Sequence, residues 1–227
     1  MVKAAIVLPA FNESAVIYKI LKSLPKRLEG ISEVDVVVVN DGSQDSTLTE
    51  AARASVDVIS HSLNRGVGAA TKTGIYWAKK NKADVIVTFD ADGQHDPRDI
   101  QKIIKPIIDK KADVVIGSRF KRRSEMPPDR FLLNLFANLA TFILFGVFST
   151  DSQSGLRAFS KKAASLIDTR LDRMDFSSEV LLEAKRHDLK VLEVPTSVIY
   201  TSYSRAKGQK NTNALPILAR LLVKLLR

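Results

Sequence analysis

Two aspartates stand directly after an apolar run in the stretch DVIVTFDADGQHDP, residues 84–97. Asp90 and Asp92 are separated by one residue, so in an extended backbone their side chains point to the same side. Two carboxylates arranged in this way can share one divalent cation, and Gln94 follows as a further oxygen donor. The stretch is therefore typical of a Mg²⁺ or Mn²⁺ site, although Asp and Gly also form ordinary turns.

The first half of the chain alternates short apolar runs with helical patterns. The apolar runs are rich in β-branched residues, which is typical of buried parallel strands. They cover residues 4–9, 34–39, 56–60, 84–89 and 113–117, and the helical patterns cover 14–28, 46–54, 67–80 and 97–110. This alternation predicts an α/β fold with a doubly wound, mostly parallel sheet flanked by helices.

Polar motifs follow four of the predicted strands. They are PAFNE (9–13), NDGSQDST (40–47), SLNRGVG (62–68) and DADGQ (90–94). Such sheets bind ligands at the carboxyl ends of their strands, so we expect the four motifs to form one composite site. Asp41 could accept hydrogen bonds from a nucleobase there, or it could belong to a turn followed by a helix cap.

Residues 64–74 match a phosphate-binding pattern only in part. Gly66, Lys72 and Thr73 fit G-x-x-x-x-G-K-[ST], but Thr71 occupies the place of the second glycine, which lets the backbone wrap around phosphate. We therefore do not expect a nucleoside triphosphatase. Gly66 and Gly68 are expected to allow close packing of the backbone against a ligand or a helix.

The basic charge of the chain lies beside apolar helices. The formal net charge is +10, and Lys and Arg gather in residues 118–130 and in the stretch after Glu193, which contains no acidic residue. This surplus indicates an anionic partner. A nucleic-acid-binding module would explain the charge but not the polar strand ends, so we expect no nucleic acid.

Residues 131–148 form an apolar helical stretch that contains Asn134, Asn138 and Thr141. It is short for a membrane span and fits either a buried core helix or a helix lying against a bilayer. The preceding KRR suits anionic head groups. Residues 213–227 predict a basic amphipathic helix, which fits a membrane surface or packing on the body of the protein.

The start of the sequence indicates the compartment, whereas the cysteine content says little about it. The chain has no cysteine, which excludes disulfides and cysteine-based zinc sites. The first apolar run is short and leads straight into Pro9, so it predicts a strand and not a signal peptide. We expect a cytoplasmic protein that associates peripherally with an anionic membrane surface, the inner face of the cell membrane.

Six motifs, taken in order, resemble those of the family 2 glycosyltransferases of the GT-A fold. They are PAFNE, VNDGSQDST, NRGVGAATKTG, DADGQHDP, DVVIGSRF and DSQSGLRAFS, and the resemblance covers roughly residues 3 to 200. The chain is most similar to the polyprenyl-phosphate hexosyltransferases, such as dolichol-phosphate mannose synthase. The resemblance implies a catalytic domain over residues 1–212, with a nucleotide-sugar half (1–117) and an acceptor half (118–212).

The resemblance also implies a reaction and the residues that carry it. A hexose would pass, with inversion, from a UDP- or GDP-linked sugar to polyprenyl or dolichyl phosphate, with Mg²⁺ or Mn²⁺ as cofactor. The metal ligands would be Asp90, Asp92 and Gln94, and the catalytic residues Asp92, Arg119 and Asp151. The nucleotide sugar would contact Pro9, Ala10, Asn12, Glu13, Asn40, Asp41, Asn64, Gly66, Asp90, Ala91 and Asp92. The acceptor phosphate would contact Arg119, Ser154, Arg157, Arg205 and Lys207.

The residues leave two other reactions open. A phosphate acceptor is largely ionised at neutral pH, so it needs cations to position it and no strong base. A saccharide hydroxyl acceptor would need a base, for which Asp151 is the candidate. In a metal-dependent nucleotidyltransferase, the carboxylates would instead hold a metal on a triphosphate.

Overall fold

The computed structural model describes residues 1–120, 128–173, 175–199 and 203. Arg205, Lys207 and the predicted helix over 213–227 lie outside the described residues. The KRR sequence at 121–123 lies outside them as well.

The described residues form a seven-stranded sheet. Its strands are β1 (Lys3–Ala10), β2 (Glu33–Asn40), β3 (Asp57–Ser60), β4 (Val85–Thr88), β5 (Val114–Ser118), β6 (Arg157–Ser160) and β7 (Val191–Pro195). Their spatial order is β3-β2-β1-β4-β6-β5-β7. Strand β6 is antiparallel to β4 and β5, and the other neighbouring pairs are parallel. The predicted mostly parallel sheet is confirmed.

Helices cover both faces of this sheet. They are α1 (Ile17–Ser23), α2 (Thr47–Ala52), α3 (Val67–Lys80), α4 (Asp99–Ile108), α5 (Pro128–Phe145), α6 (Lys161–Leu166) and α7 (Phe176–Arg186). The first five strands agree with the predicted runs to within one residue at each end, and α1 to α4 lie inside the predicted helical ranges. Strands β6 and β7 and helices α6 and α7 were not predicted.

A hydrophobic core lies on each face of the sheet, and strand β1 contributes side chains to both cores. Its sequence is therefore apolar without a break. Ile6 and Leu8 pack in the core below α1, α2 and α4, whereas Ala5 and Val7 pack in the core below α3, α6 and α7. Gly74 lets α3 approach β1 closely, because a Cβ atom at this position would overlap the Val7 side chain. This close packing holds α3 against β1.

Candidate functional site

The loops after β1 and β2 are joined by hydrogen bonds at the carboxyl edge of the sheet. Asn12 donates its backbone N–H to Ser43 Oγ (3.0 Å) and accepts from the Gln44 N–H through Oδ1 (2.9 Å). Glu13 donates its N–H to Thr47 Oγ1 (2.7 Å). The first two polar motifs therefore form one structure, as predicted.

The carboxylate of Asp45 also joins the loops after β1 and β2. Asp45 accepts backbone hydrogen bonds from Ser14 (3.1 Å) and Thr47 (2.9 Å), and it also accepts from the Thr47 hydroxyl. Burial alone would raise the pKa of Asp45, but the bonds from Thr47 and Ser14 lower this pKa to about 2. Asp45 thus stays charged at neutral pH and ties the two loops together.

The last residues of β1 and β2 line this edge. Pro9 pairs with Val39, and Ala10 pairs with Asn40. Asn40 donates through Nδ2 to Ser60 Oγ and accepts from the Ser43 N–H, both at 3.2 Å. These predicted nucleotide-site residues are therefore adjacent, although their contact with a nucleotide remains a prediction.

Asp41 is buried and holds the loop that follows β3. Its Oδ1 atom lies 2.7 Å from His61 Nδ1 and accepts from the Arg65 N–H (3.0 Å). Its Oδ2 atom accepts from Asn64 Nδ2 (3.0 Å) and the Gly66 N–H (2.7 Å). A carboxylate has about four acceptor positions, so direct bonding of Asp41 to a nucleobase would require exchange of one of these partners.

Asp41→Asn is expected to lower both stability and nucleotide affinity. The amide offers one acceptor oxygen, and its NH₂ group would face donors, so buried N–H groups would lose partners at a cost of about 1–3 kcal/mol. Urea unfolding and calorimetric titration with UDP would measure the two effects. Asp57→Asn, at an exposed position of β3, is the control. Unchanged unfolding in Asp41→Asn would contradict this role.

The glycines that open α3 allow it to pack against the segment before α7. A Cβ atom at Gly68 would lie 2.7 Å from the Phe176 Cβ atom, and one at Gly66 would overlap the Asp172 carbonyl oxygen. That carbonyl accepts the Ala69 N–H (3.1 Å), and the Asp172 carboxylate accepts from Lys72 Nζ (2.5 Å). The expected close packing is confirmed, and Lys72 pairs with a carboxylate of the protein.

The backbone does not continue as an extended strand from Asp90 to Asp92, because a turn begins directly after Asp90. Strand β4 ends at Thr88, Ala91 and Asp92 form the turn, and Gly93 lies in the bend that follows. Asp92 Oδ1 accepts from the Gln94 N–H (2.9 Å), and Gly93 has a φ of 77°. The extended backbone that we predicted is therefore wrong, but the turn still places the Asp92 charge near Asp90.

The surroundings of Asp90 fit a cation. Gly155 borders the carboxylate closely enough that a Cβ atom on this glycine would overlap it. Removal of water from around Asp90, together with the charge of Asp92, raises the pKa of Asp90 to about 7, against the opposing effect of Arg119. A cation would relieve this repulsion. The described residues contain no group of three or more His, Cys, Asp or Glu side chains that could hold a metal, so substrate oxygens would complete the coordination shell.

The segment after β7 connects the turn at Asp92 with the loop after β1. Val198 forms an antiparallel bridge with His95, and Ile199 donates its N–H to the Gln94 carbonyl oxygen (2.8 Å). Farther along, the Tyr203 hydroxyl donates to Glu13 Oε2 (2.7 Å). Glu13, a predicted nucleotide-site residue, is thus linked to Tyr203 in the chain after β7.

Arg119 and Asp151 form a buried ion pair. Arg119 donates through Nε and Nη2 to the two carboxylate oxygens of Asp151, each at 2.7 Å, and its backbone N–H adds a third bond (2.9 Å). The Asp151 side chain is 0% exposed. Two of the three predicted catalytic residues, Arg119 and Asp151, are therefore in contact, but Asp151 faces Arg119 and is not open to a substrate hydroxyl.

Ser154 and Arg157 occupy positions that differ from the predicted acceptor contact. Ser154 is buried and donates to the Gly117 carbonyl oxygen (2.6 Å). Arg157 is 1% exposed and donates to the carbonyls of Ser152 (2.6 Å), Ser154 (2.9 Å) and Ser177 (2.9 Å). Burial lowers the pKa of Arg157 to about 10, so it stays cationic at neutral pH. Through these hydrogen bonds, both residues hold the loop before β6 in place.

Helix α5 turns polar residues toward the protein and apolar residues outward. Asn138 bonds to the backbone of residues 150 and 152, and Thr141 is buried. Large apolar side chains on this helix are exposed by 47% to 68%, namely Leu132, Leu135, Phe136, Leu139, Phe142 and Ile143. We call these six residues the outer face of α5. In the described part of the chain, the helix is therefore not sealed in the core.

Among the described helices, none combines the length and the apolar character needed to cross a bilayer.

Comparisons with known proteins agree with this architecture. The family described as Glycosyl transferase family 2 matches residues 5–165. The UDP-N-acetylglucosamine–dolichyl-phosphate N-acetylglucosaminyltransferase of Methanococcus voltae is 40% identical over 240 residues, covering 96% of this chain and 94% of that protein. The undecaprenyl-phosphate mannosyltransferase of Micrococcus luteus is 30% identical over 218 residues, covering 88% and 85% respectively.

A solved structure extends the comparison to the fold. Glucosyl-3-phosphoglycerate synthase from Mycobacterium tuberculosis, in complex with Mn²⁺ and UDP-glucose, matches with a TM-score of 0.70 at 20% identity. The match covers 99% of this chain and 78% of that chain. The family match and the common GT-A fold lead to one conclusion: the chain belongs to the family 2 glycosyltransferases.

Proposed function

We propose that the chain transfers a sugar from a nucleoside-diphosphate sugar to a polyprenyl phosphate such as dolichyl phosphate. Two relatives, 40% and 30% identical over most of both chains, are named for transfer to dolichyl phosphate and undecaprenyl phosphate. The more similar one is named for UDP-N-acetylglucosamine, which makes this the first donor to test. A nucleotidyltransferase has no support from the family match.

The Arg119–Asp151 pair is the observation that favours a phosphate acceptor. A sugar hydroxyl would need a base, but Asp151 is buried and both its oxygens accept from Arg119. A phosphate monoester has a second pKa near 6 and reaches the site already ionised. Arg119 is then suited to hold and orient this nucleophile, with displacement and inversion at the anomeric carbon as the expected course.

The donor would lie at the carboxyl ends of β1 to β4. The loops after β1, β2 and β3 would hold the nucleotide within residues 1–117, and residues 118–212 would hold the acceptor. Asp90 and Asp92 would bind Mg²⁺ or Mn²⁺, with Gln94 as a further oxygen donor. A cation bound there would stabilise the negative charge that develops on the departing diphosphate.

Helix α5 suggests where the lipid lies. Its outer face exposes six large apolar side chains beside the acceptor half of the site, and the basic sequence at 121–123 precedes it. Apolar surface combined with nearby positive charge is the combination that holds a protein on anionic lipid. We propose peripheral association with the cytoplasmic face of the membrane, with the lipid tail along α5.

The chain is expected to bind anionic vesicles through α5. Phe136→Ser/Ile143→Ser should weaken vesicle binding at least about tenfold, because burial of each large apolar side chain contributes about 1.5–3 kcal/mol. Binding of the unchanged chain should also weaken with salt. Vesicle flotation with anionic and neutral lipid would measure both effects. Leu48→Ser removes an exposed apolar residue of α2 as the control, and an equal loss in this variant would contradict the assignment.

A donor screen would test the proposed function. The protein is incubated with labelled UDP-N-acetylglucosamine, UDP-glucose or GDP-mannose, with polyprenyl phosphate and Mg²⁺ or Mn²⁺, with and without chelator. Labelled lipid that forms from one donor and disappears with chelator is the expected result. Donor hydrolysis without labelled lipid would contradict the assignment of polyprenyl phosphate as the acceptor. Labelled lipid that forms equally with chelator would contradict the proposed need for a metal.

A further inference from the structure

Asn138 of α5 contacts the backbone on both sides of Asp151. Its Nδ2 atom donates to the Thr150 carbonyl oxygen (2.6 Å), and its Oδ1 atom accepts from the Ser152 N–H (2.8 Å). A single side chain therefore fixes the peptide groups before and after Asp151. The carboxylate of Asp151, in turn, holds the Arg119 guanidinium at two points.

The opposite side of this loop is held by strands. Glu193 of β7 accepts from the Ser149 hydroxyl (2.7 Å) and the Thr150 N–H (2.8 Å). Ser118, the last residue of β5, shares a hydrogen bond with the Thr150 hydroxyl (2.7 Å). The position of Asp151 is thus fixed by the sheet on one side and by α5 on the other, where Asn138 forms both backbone contacts.

We infer that Asn138 is a positioning residue for Arg119 and, through it, for the acceptor phosphate. The inference rests on the proposed function, because Arg119 is the group that would bind the acceptor. Asn138 lies on the inner side of the helix whose outer face would meet the lipid, so the same helix would place both the lipid tail and the cation for its phosphate. Both hydrogen bonds of the Asn138 side chain go to the loop around Asp151, and not to the loops after β1 to β3 that would hold the donor, so donor binding should not depend on Asn138.

Steady-state kinetics would separate this role from a general loss of stability. In Asn138→Ala, the KM for farnesyl phosphate, a water-soluble acceptor, should rise about tenfold or more, because a small displacement of a positioning group can cost up to about a hundredfold. The KM for the nucleotide sugar should change less than about twofold. Thr71→Val, which removes a buried hydroxyl of α3 bonded to the Val67 carbonyl, is the control for stability. An unchanged acceptor KM in Asn138→Ala would overturn the inference.

A second measurement does not depend on sugar transfer. The side-chain Nε–H resonance of Arg119, assigned by its absence in Arg119→Lys, reports the bond to Asp151. Asn138→Ala should shift this resonance or speed its exchange with water, whereas Thr71→Val should leave it in place. If the unchanged protein transfers no sugar to farnesyl phosphate, the proposed function fails. The resonance still tests whether Asn138 positions Arg119. A resonance that does not move in Asn138→Ala would overturn the positioning role.

Discussion

Asp90→Asn is expected to abolish most sugar transfer and at the same time to stabilise the metal-free protein at pH 8. Asp90 is a proposed ligand to the cation, and loss of such a ligand should reduce the rate by at least about a hundredfold, as does loss of other groups that stabilise developing charge. The gain in stability follows from the raised pKa of Asp90, about 7 in the folded protein against an ordinary 3.8. Ionisation of this carboxyl is therefore unfavourable in the folded state.

The sign of the pH dependence follows from proton binding. Between about pH 4 and pH 7 the folded protein retains a proton on Asp90 that the unfolded chain has lost. The unfolding free energy therefore falls as pH rises through this window. Asn cannot ionise, so the advantage of Asp90→Asn should be absent near pH 4 and complete above pH 7.

Thermal unfolding at several pH values, with and without Mn²⁺, would test this prediction. Mn²⁺ should stabilise the unchanged protein at pH 8 by mass action and should have little effect on Asp90→Asn. Asp57→Asn, an exposed substitution of the same kind, should match the unchanged protein throughout. A variant at position 90 that transfers sugar at the normal rate, or that unfolds more easily at pH 8 without metal, would contradict this account of Asp90.

Gly155→Ala is expected to reduce transfer about as strongly as Asp90→Asn. A methyl group at position 155 would overlap the Asp90 carboxylate, so the Asp90 side chain would have to leave its place. The Asp90 carboxylate is partly desolvated, but its side chain still has 35% of its surface exposed, so its displacement should not disrupt the core and the fold should persist. The affinity for Mn²⁺ in the presence of UDP should fall together with the rate.

The mechanism can be checked by combining the two substitutions. If Gly155→Ala acts by displacing Asp90, the double variant should be no worse than Asp90→Asn alone. Gly30→Ala is the control for strain in a glycine remote from Asp90, since Gly30 has a φ of 79° and packs against Ile108. Additive losses of transfer rate in the double variant, or normal Mn²⁺ affinity in Gly155→Ala, would contradict the proposal that Gly155→Ala acts by displacing Asp90.

The first half of the fold could be predicted because its signals are local. Strands β1 to β5 are runs of small and β-branched apolar residues, and each of the first four is followed by a polar motif. Strand β6 has no such signal. It begins with Arg157, which sequence rules place at the surface, and becomes a strand through pairing with β4 and β5.

The partners inside the site could not be read from the sequence, because they are distant along the chain. Arg119 and Asp151 are separated by 32 residues, and Ser154 and Gly117 by 37. The motif DSQSGLR indicated that these residues matter, but not that Ser154 and Arg157 bond to the backbone of their own loop. Their burial changes the expected role from acceptor binding to support of the site.

Three site residues to which the sequence analysis gave no role did leave a signal. Asn138 and Thr141 interrupt the apolar helix at a spacing of three, which places both on one side of it. This side faces the loop at Asp151. Gly155 stands between Ser154 and Leu156 in a matched motif, and a glycine there indicates a close neighbour, although only the structure identifies that neighbour as Asp90.

A comparison of two acceptors tests the central claim most directly. Polyprenyl phosphate and the corresponding polyprenol, of equal chain length, are offered to the protein with the same labelled nucleotide sugar and Mn²⁺. Because Asp151 is engaged by Arg119 and the proposed acceptor is already ionised, we predict labelled product from the phosphate alone. Equal or faster labelling of the alcohol would contradict the account, since it would require a base that activates a hydroxyl.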